Sequence, residues 1–155
     1  MSKKEWAQDF PYWQTTVKAS KSRAEIDDIL EKFGARVIVI ATGRMEGKIA
    51  WRISFEYNDK PYLLTFHPLP VYSSTAAKEE QAIRQMGRLA FYTIKNLCMA
   101  AELLPASLFG FLALKDNQGR TRTAAELNVD GITAQLPGAE FEAPAIEFQP
   151  GNSDG

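Results

Sequence analysis

The sequence predicts an α+β fold: an antiparallel sheet of three to four strands packed with one short N-terminal helix and one long helix, then a disordered acidic C-terminal tail. Three observations carry this. In residues 48–57 a large apolar side chain falls at every second position, with Lys48, Ala50, Arg52, Ser54 and Glu56 between, the period-2 pattern of a half-buried strand. Short turn sequences flank that segment, which favours an antiparallel meander. Residues 76–104 run without Pro and repeat apolar side chains at helical spacing.

The elements follow in order. Residues 1–14 form an aromatic arm with Trp6, Phe10, Tyr12 and Trp13. Tyr12 to Lys18 reads as an edge strand, because Thr15, Thr16 and Val17 are β-branched. Ser22 to Glu25 has the spacing of a capping box and sets the start of a first helix. Ile26, Ile29, Leu30 and Phe33 share one face of it, and Gly34 stands where a left-handed cap is needed. Val37 to Ile40 is apolar on both faces, so it is expected inside the sheet. Gly43 and Gly47 bracket a turn. Ile49, Trp51, Ile53, Phe55 and Tyr57 then share the apolar face of the next strand, with Lys48, Arg52 and Glu56 opposite. Asn58-Asp59 is a second turn, and Pro61 to His67 is a third strand with its proline near the start.

Ser73 to Thr75 leads into the long helix, which Pro105 stops. Its apolar face is Met86, Leu89, Ala90, Ile94, Leu97, Ala101 and Leu104. Leu108 to Leu114 reads as a short helix or a strand. Residues 116–119 form a turn, and Thr123 to Val129 a last short helix. The domain reading is an arm at 1–14, one α+β domain at 15–131 and a flexible acidic tail at 132–155.

Composition narrows the function classes. One cysteine, Cys98, makes no internal disulfide and no thiolate metal site. The N-terminus lacks the apolar stretch of a secretory signal, and no apolar run approaches the roughly 20 residues of a membrane helix. The expected setting is cytoplasmic and off the membrane. Residues 1–123 hold all 18 bases and 13 of the 19 acids, a net of +5; residues 124–155 hold six acids and no base. A basic body beside an acidic tail reads as chance plus a solubilising tail, or as a polyanion-binding body whose tail competes for the site or recruits replication and recombination proteins.

Catalysis has little to stand on. His67 is the only histidine and sits at a strand end. Asp27-Asp28 and Glu79-Glu80 lie near helix starts, where negative charge offsets the helix dipole. Gly43 to Gly47 lacks the Lys-Ser/Thr of a phosphate loop. The expectation is a protein that is not an enzyme and uses no cofactor or metal.

Binding has more. A single nucleic-acid strand is held by cations along its backbone and by rings on which bases stack. Arg84, Arg88 and Lys95 lie within about 40° of one another on the long helix, with Phe91 and Tyr92 close by. Lys48 and Arg52 lie on the polar sheet face, near Tyr62 and Phe66 of the neighbouring strand. The same stripe also fits an ordinary solvated helix face.

From Thr16 to Asp130 the chain resembles a family of small uncharacterised proteins frequent in phages, prophages and bacterial genomes. The resemblance rests on Ser22 to Ile26 with Phe33 to Ala35, Leu64 to Pro70, Arg84-Gln85 through Arg88-Leu89 to Ile94-Lys95, Phe111 to Ala113, and Gly119 to Thr121. It implies a mobile-element setting and no particular chemistry. The aromatic arm and acidic C-terminus depart from it. The layout is also similar to that of an archaeal family of single-strand DNA-binding proteins, a likeness of layout alone.

The leading expectation is therefore a sequence-tolerant nucleic-acid-binding protein, for single-stranded DNA in phage or mobile-element replication or recombination. The alternative is a protein–protein module, such as an inhibitor of a host or defence enzyme. The long helix and the sheet face each offer a contact for a homo-oligomer.

Overall fold

A computed structural model describes residues 5–127. The tail at 132–155 lies outside them. The described chain is α+β, with helices and an antiparallel three-stranded sheet. It divides into two compact units between Ser107 and Leu108.

In the first unit a 3-10 turn, Ala7–Asp9, precedes helix α1 (Ala19–Phe33). Strands β1 (Arg36–Met45), β2 (Lys48–Tyr57) and β3 (Lys60–Phe66) follow as a meander, and helix α2 (Ala76–Leu103) closes the unit. Hydrophobic burial builds one core from β2 (Trp51, Ile53, Phe55), β3 (Tyr62, Leu64), α1 (Ile26, Leu30) and α2 (Ala82, Met86, Ala90, Ile94). Asn58 and Asp59 both take positive φ, which matches the hairpin turn to the strand twist. Gly34 ends α1 at φ 104, and Tyr57 stacks on Phe33 beside it at 4.1 Å. Thr75 caps α2 by accepting the Lys78 amide at 3.2 Å.

Several elements differ from expectation. Residues 12–18 do not form a strand: Tyr12 turns at φ 70, and the arm is a series of turns strapped to α2. Propensity for β structure needs a partner strand, and this segment meets a helix instead. The first helix starts at Ala19, one turn before Ser22, so the Ser22–Glu25 pair is not a capping box. Ser22 is fully buried. Residues three apart share a helix face, and this face looks at α2.

Val37 to Ile40 is not interior. β2 is the central strand and β1 an edge, with Val37 66% and Val39 50% exposed. A register shift between Arg36 and Val39 and a positive φ at Val37 distort its first half. Arg23 of α1 donates to the Ile40 carbonyl and the Thr42 hydroxyl, and its guanidinium lies 5.5 Å from the Trp51 ring. An arginine bonded to a strand backbone is one way an edge is kept from pairing elsewhere. Leu104 is the cap after α2 and is 67% exposed, so it leaves the apolar face.

The second unit holds the end of a 3-10 segment, Pro105–Phe111, then a two-stranded ladder of β4 (Ala113–Lys115) and β5 (Thr121–Thr123). The turn at 116–119 joins them, and a helical turn follows at 124–127. The rest of the expected last helix lies outside the described residues. Asp116 organises the turn. Burial works to raise its carboxyl, but the amide hydrogen bonds from Arg120 and Gln118, with the Arg120 side chain, hold it below the ordinary carboxylate value.

Candidate nucleic-acid interface

The candidate surface is one strip of α2 together with the arm that crosses beside it. Arg84, Arg88, Phe91, Tyr92 and Lys95 span an arc of about 100° on the helix. α1 touches α2 at Gly87 and Arg88; the arm touches it at Gln81, Gln85 and Tyr92.

On the α1 side the helices approach very closely. A Cβ on Gly87 would meet Ser22 Cβ at 3.0 Å and Trp51 Cη2 at 3.4 Å. Arg88 is only 8% exposed. Its Nε donates to Ser22 Oγ at 3.1 Å, and its Nη2 pairs with Glu25. The guanidinium also lies 4.9 Å from the Phe91 ring and 5.6 Å from the Tyr92 ring. Arg88 is therefore not an exposed cation. A buried arginine needs a carboxylate and hydrogen-bond acceptors, and Glu25 and Ser22 supply both.

On the arm side the contacts are neutral. Gln85 is fully buried, and its Nε2 faces the carbonyls of Ala7, Phe10 and Pro11 at 2.9–3.1 Å. Gln81, one helical turn earlier, donates from Nε2 to the carbonyls of Trp13 and Thr15, both at 2.7 Å. Tyr12 lies parallel on Tyr92, with ring centres 5.2 Å apart and an interplanar angle of 11°. Tyr92 thus meets both the Arg88 guanidinium and the Tyr12 ring, and Tyr12 itself is 42% exposed. The arm begins from an anchor: the Ala7 amide donates to Pro70 O at 2.7 Å, and the Gln8 side chain exchanges two hydrogen bonds with the Tyr72 backbone. Trp6 meets Tyr72 edge-on.

The other expected residues separate. Arg84 is half-buried and lies 3.7 Å from Glu80. Lys95 is exposed and pairs with no acid among the described residues. Lys48 and Arg52 are exposed on one side of β2. The register β2–β3 sets Tyr62 opposite Phe55 and Phe66 opposite Trp51, so both rings belong to the opposite face, the apolar one. Tyr62 is 8% exposed and stacks on Phe55 at 5.6 Å. Burial, then Tyr57 nearby, pushes its hydroxyl above the usual tyrosine range. Lys48 and Arg52 therefore have no ring partner in Tyr62 or Phe66.

Three features escaped sequence reasoning. Tyr12 sits 80 residues before its ring partner. Lys18, the cap before α1, and Lys21, in its first turn, are exposed and lie within six residues of the Thr15 that Gln81 holds. The two glutamines carry no sequence signal beyond their i, i+4 spacing.

For nucleophilic chemistry, burial and then Glu102 push the Cys98 thiol up to about 11, so it stays protonated at neutral pH. His67 is exposed, with Nδ1 3.3 Å from Pro68 O. Among the described residues no group of three or more His, Cys, Asp or Glu is placed to hold a metal ion, and no helix is long and apolar enough to cross a membrane. Compared with known proteins, the chain matches no family model, no curated protein and no solved structure.

Proposed function

We propose that the protein binds single-stranded nucleic acid with little sequence preference, using the strip of α2 beside the arm. The observation that carries this is the parallel stacking of Tyr12 on Tyr92, whose ring also lies 5.6 Å from the Arg88 guanidinium, on the helix strip that holds Lys95 and Arg84. A tyrosine ring at the surface gives a base a flat face to stack on, and each stacked base contributes about 1–3 kcal/mol. Lys95 and Arg84 then serve as phosphate contacts, with Lys18 and Lys21 close along the chain. Mobile-element replication or recombination, and recruitment of other proteins by the acidic C-terminus, belong to the same proposal and rest on sequence alone.

Titration of a labelled oligothymidylate by fluorescence anisotropy at two salt concentrations tests it. Affinity should fall as salt rises, because phosphate contacts release counterions. Tyr92→Ala should weaken binding by about 1–3 kcal/mol. Absence of any complex at low salt, for the wild-type chain and for variants of the arm, ends the reading.

One observation favours a protein–protein module instead. Val37, Val39 and Met45 are exposed on a single edge strand, at 66%, 50% and 45%, and exposed apolar patches mark protein contacts. A protein captured through β1, with binding indifferent to salt and lost in Val39→Asp, would support that reading over the first.

A further inference from the structure

We infer that residues 10–15 are a displaceable strap, with Tyr12 occupying in the free protein the ring seat on Tyr92 that a base of the single strand takes in the complex. This rests on the nucleic-acid reading and adds how access to that site is controlled.

The two ends of the arm are held differently from its middle. Ala7 is fully buried and tied to Pro70, and Gln8 is tied to Tyr72. At the other end the chain enters α1 at Ala19. Between these anchors the segment is held by hydrogen bonds from Gln81 and Gln85, by the Tyr12 ring contact, and by partial burial of Phe10 and Trp13. Both glutamines bond to main-chain carbonyls, which water satisfies equally well once the segment lifts.

The closed arrangement is also imperfect. Gln85 Nε2 has two protons and three carbonyls around it. Its Oε1 is buried with no hydrogen-bond partner among the described residues. Native interiors seldom tolerate such an atom, and where they do it marks a place of stored cost. Tyr12 adds a second cost: it holds φ 70, a left-handed conformation that a bulky side chain adopts rarely. That φ lies at the residue whose ring covers Tyr92. One unsatisfied oxygen facing the segment's side of α2 and a strained backbone at Tyr12 together describe a segment near the low end of local stability, from which moving lids are drawn.

A ring already seated on Tyr92 competes with any incoming base. Loosening the strap should therefore raise affinity, because the binding-competent fraction multiplies the intrinsic constant. If Tyr12 were instead a fixed platform for the base, removing it would lower affinity. The two cases differ in sign.

The experiment uses the full chain. Oligothymidylate affinity is measured at low salt for wild type, Tyr12→Ala and Gln81→Ala; the last loosens the strap without touching either ring. Both variants should bind about fivefold or more tightly than wild type, the factor by which the open fraction rises. Amide hydrogen exchange is followed in parallel. The Thr15 amide bonds to Tyr12 O and the Val17 amide to Thr15 Oγ1, both at 3.1 Å. Both should exchange faster when the oligonucleotide is bound. A complex whose affinity is unchanged or weakened in the two variants overturns the strap and leaves the nucleic-acid reading standing. So does slower exchange at Thr15 and Val17 in the complex. No complex with any of the three proteins overturns the nucleic-acid reading itself.

Discussion

The two flanks of α2 solve the same problem in opposite ways. Each must bury a polar side chain against a neighbouring segment. On the α1 flank Arg88 meets a carboxylate and a hydroxyl, and Gly87 lets the helices close to contact. On the arm flank Gln85 Nε2 meets carbonyls, and its Oε1 has no partner among the described residues. The first arrangement is charged, packed and complete. The second is neutral and over-subscribed. Removing one member of a buried ion pair leaves an uncompensated charge, whereas releasing an amide from carbonyls leaves groups that water can serve. The α1 flank should therefore behave as part of the core, and the arm flank as a separable layer.

Four substitutions sharpen or break that contrast. The largest effect is expected for Arg88→Ala, which strands Glu25 and empties a space between Phe91 and Ser22. Urea unfolding should show a loss of about 3 kcal/mol, the low end for a buried pair because the Glu25 side chain is 34% exposed. Next is Gln85→Ala, at about 2 kcal/mol. Its signature differs in kind: exchange should rise through residues 10–15 while the α1–α2 junction stays protected. A larger loss from Gln85→Ala than from Arg88→Ala would invert the comparison.

Gly87→Ala is third. The added methyl meets Ser22 at 3.0–3.1 Å, which costs about 1–3 kcal/mol, and alanine's better helix propensity returns about 1. A net loss of about 1 kcal/mol in thermal or urea unfolding is expected; a gain in stability would mean that the two helices have room to part. Arg84→Ala is the smallest for stability, within about 0.5 kcal/mol, because its pair with Glu80 is at the surface. Its effect should appear in oligonucleotide binding, where the salt dependence falls by about one charge.

Much of the fold could be read directly. The period-2 pattern from Lys48 to Tyr57 located β2 to the residue, the Asn58-Asp59 turn set the second hairpin, and Pro105 stopped α2 one residue after its cap. These are local signals: a period, a turn chemistry, a missing amide. Strand order was not local. Val37 to Ile40 has the composition of an interior strand, and only the count of neighbours makes β1 an edge.

The candidate site divides along the same line. The chain order of Arg84, Arg88, Phe91, Tyr92 and Lys95 placed them on one side of a helix, and they are there. Helical spacing states which residues share a face, but not what lies against that face. α1 lies there and takes Arg88 inward; the arm lies there and sets Tyr12 on Tyr92. Tyr62 and Phe66 show the converse. Their strand was foreseen, but a shift of one residue in pairing exchanges its two faces, and the pairing with Phe55 and Trp51 assigned both rings to the apolar one. Periodicity is written in the order of residues along the chain; exposure, charge pairing and strand register arise only when distant segments meet, and here those meetings decide which cations and rings remain at the surface.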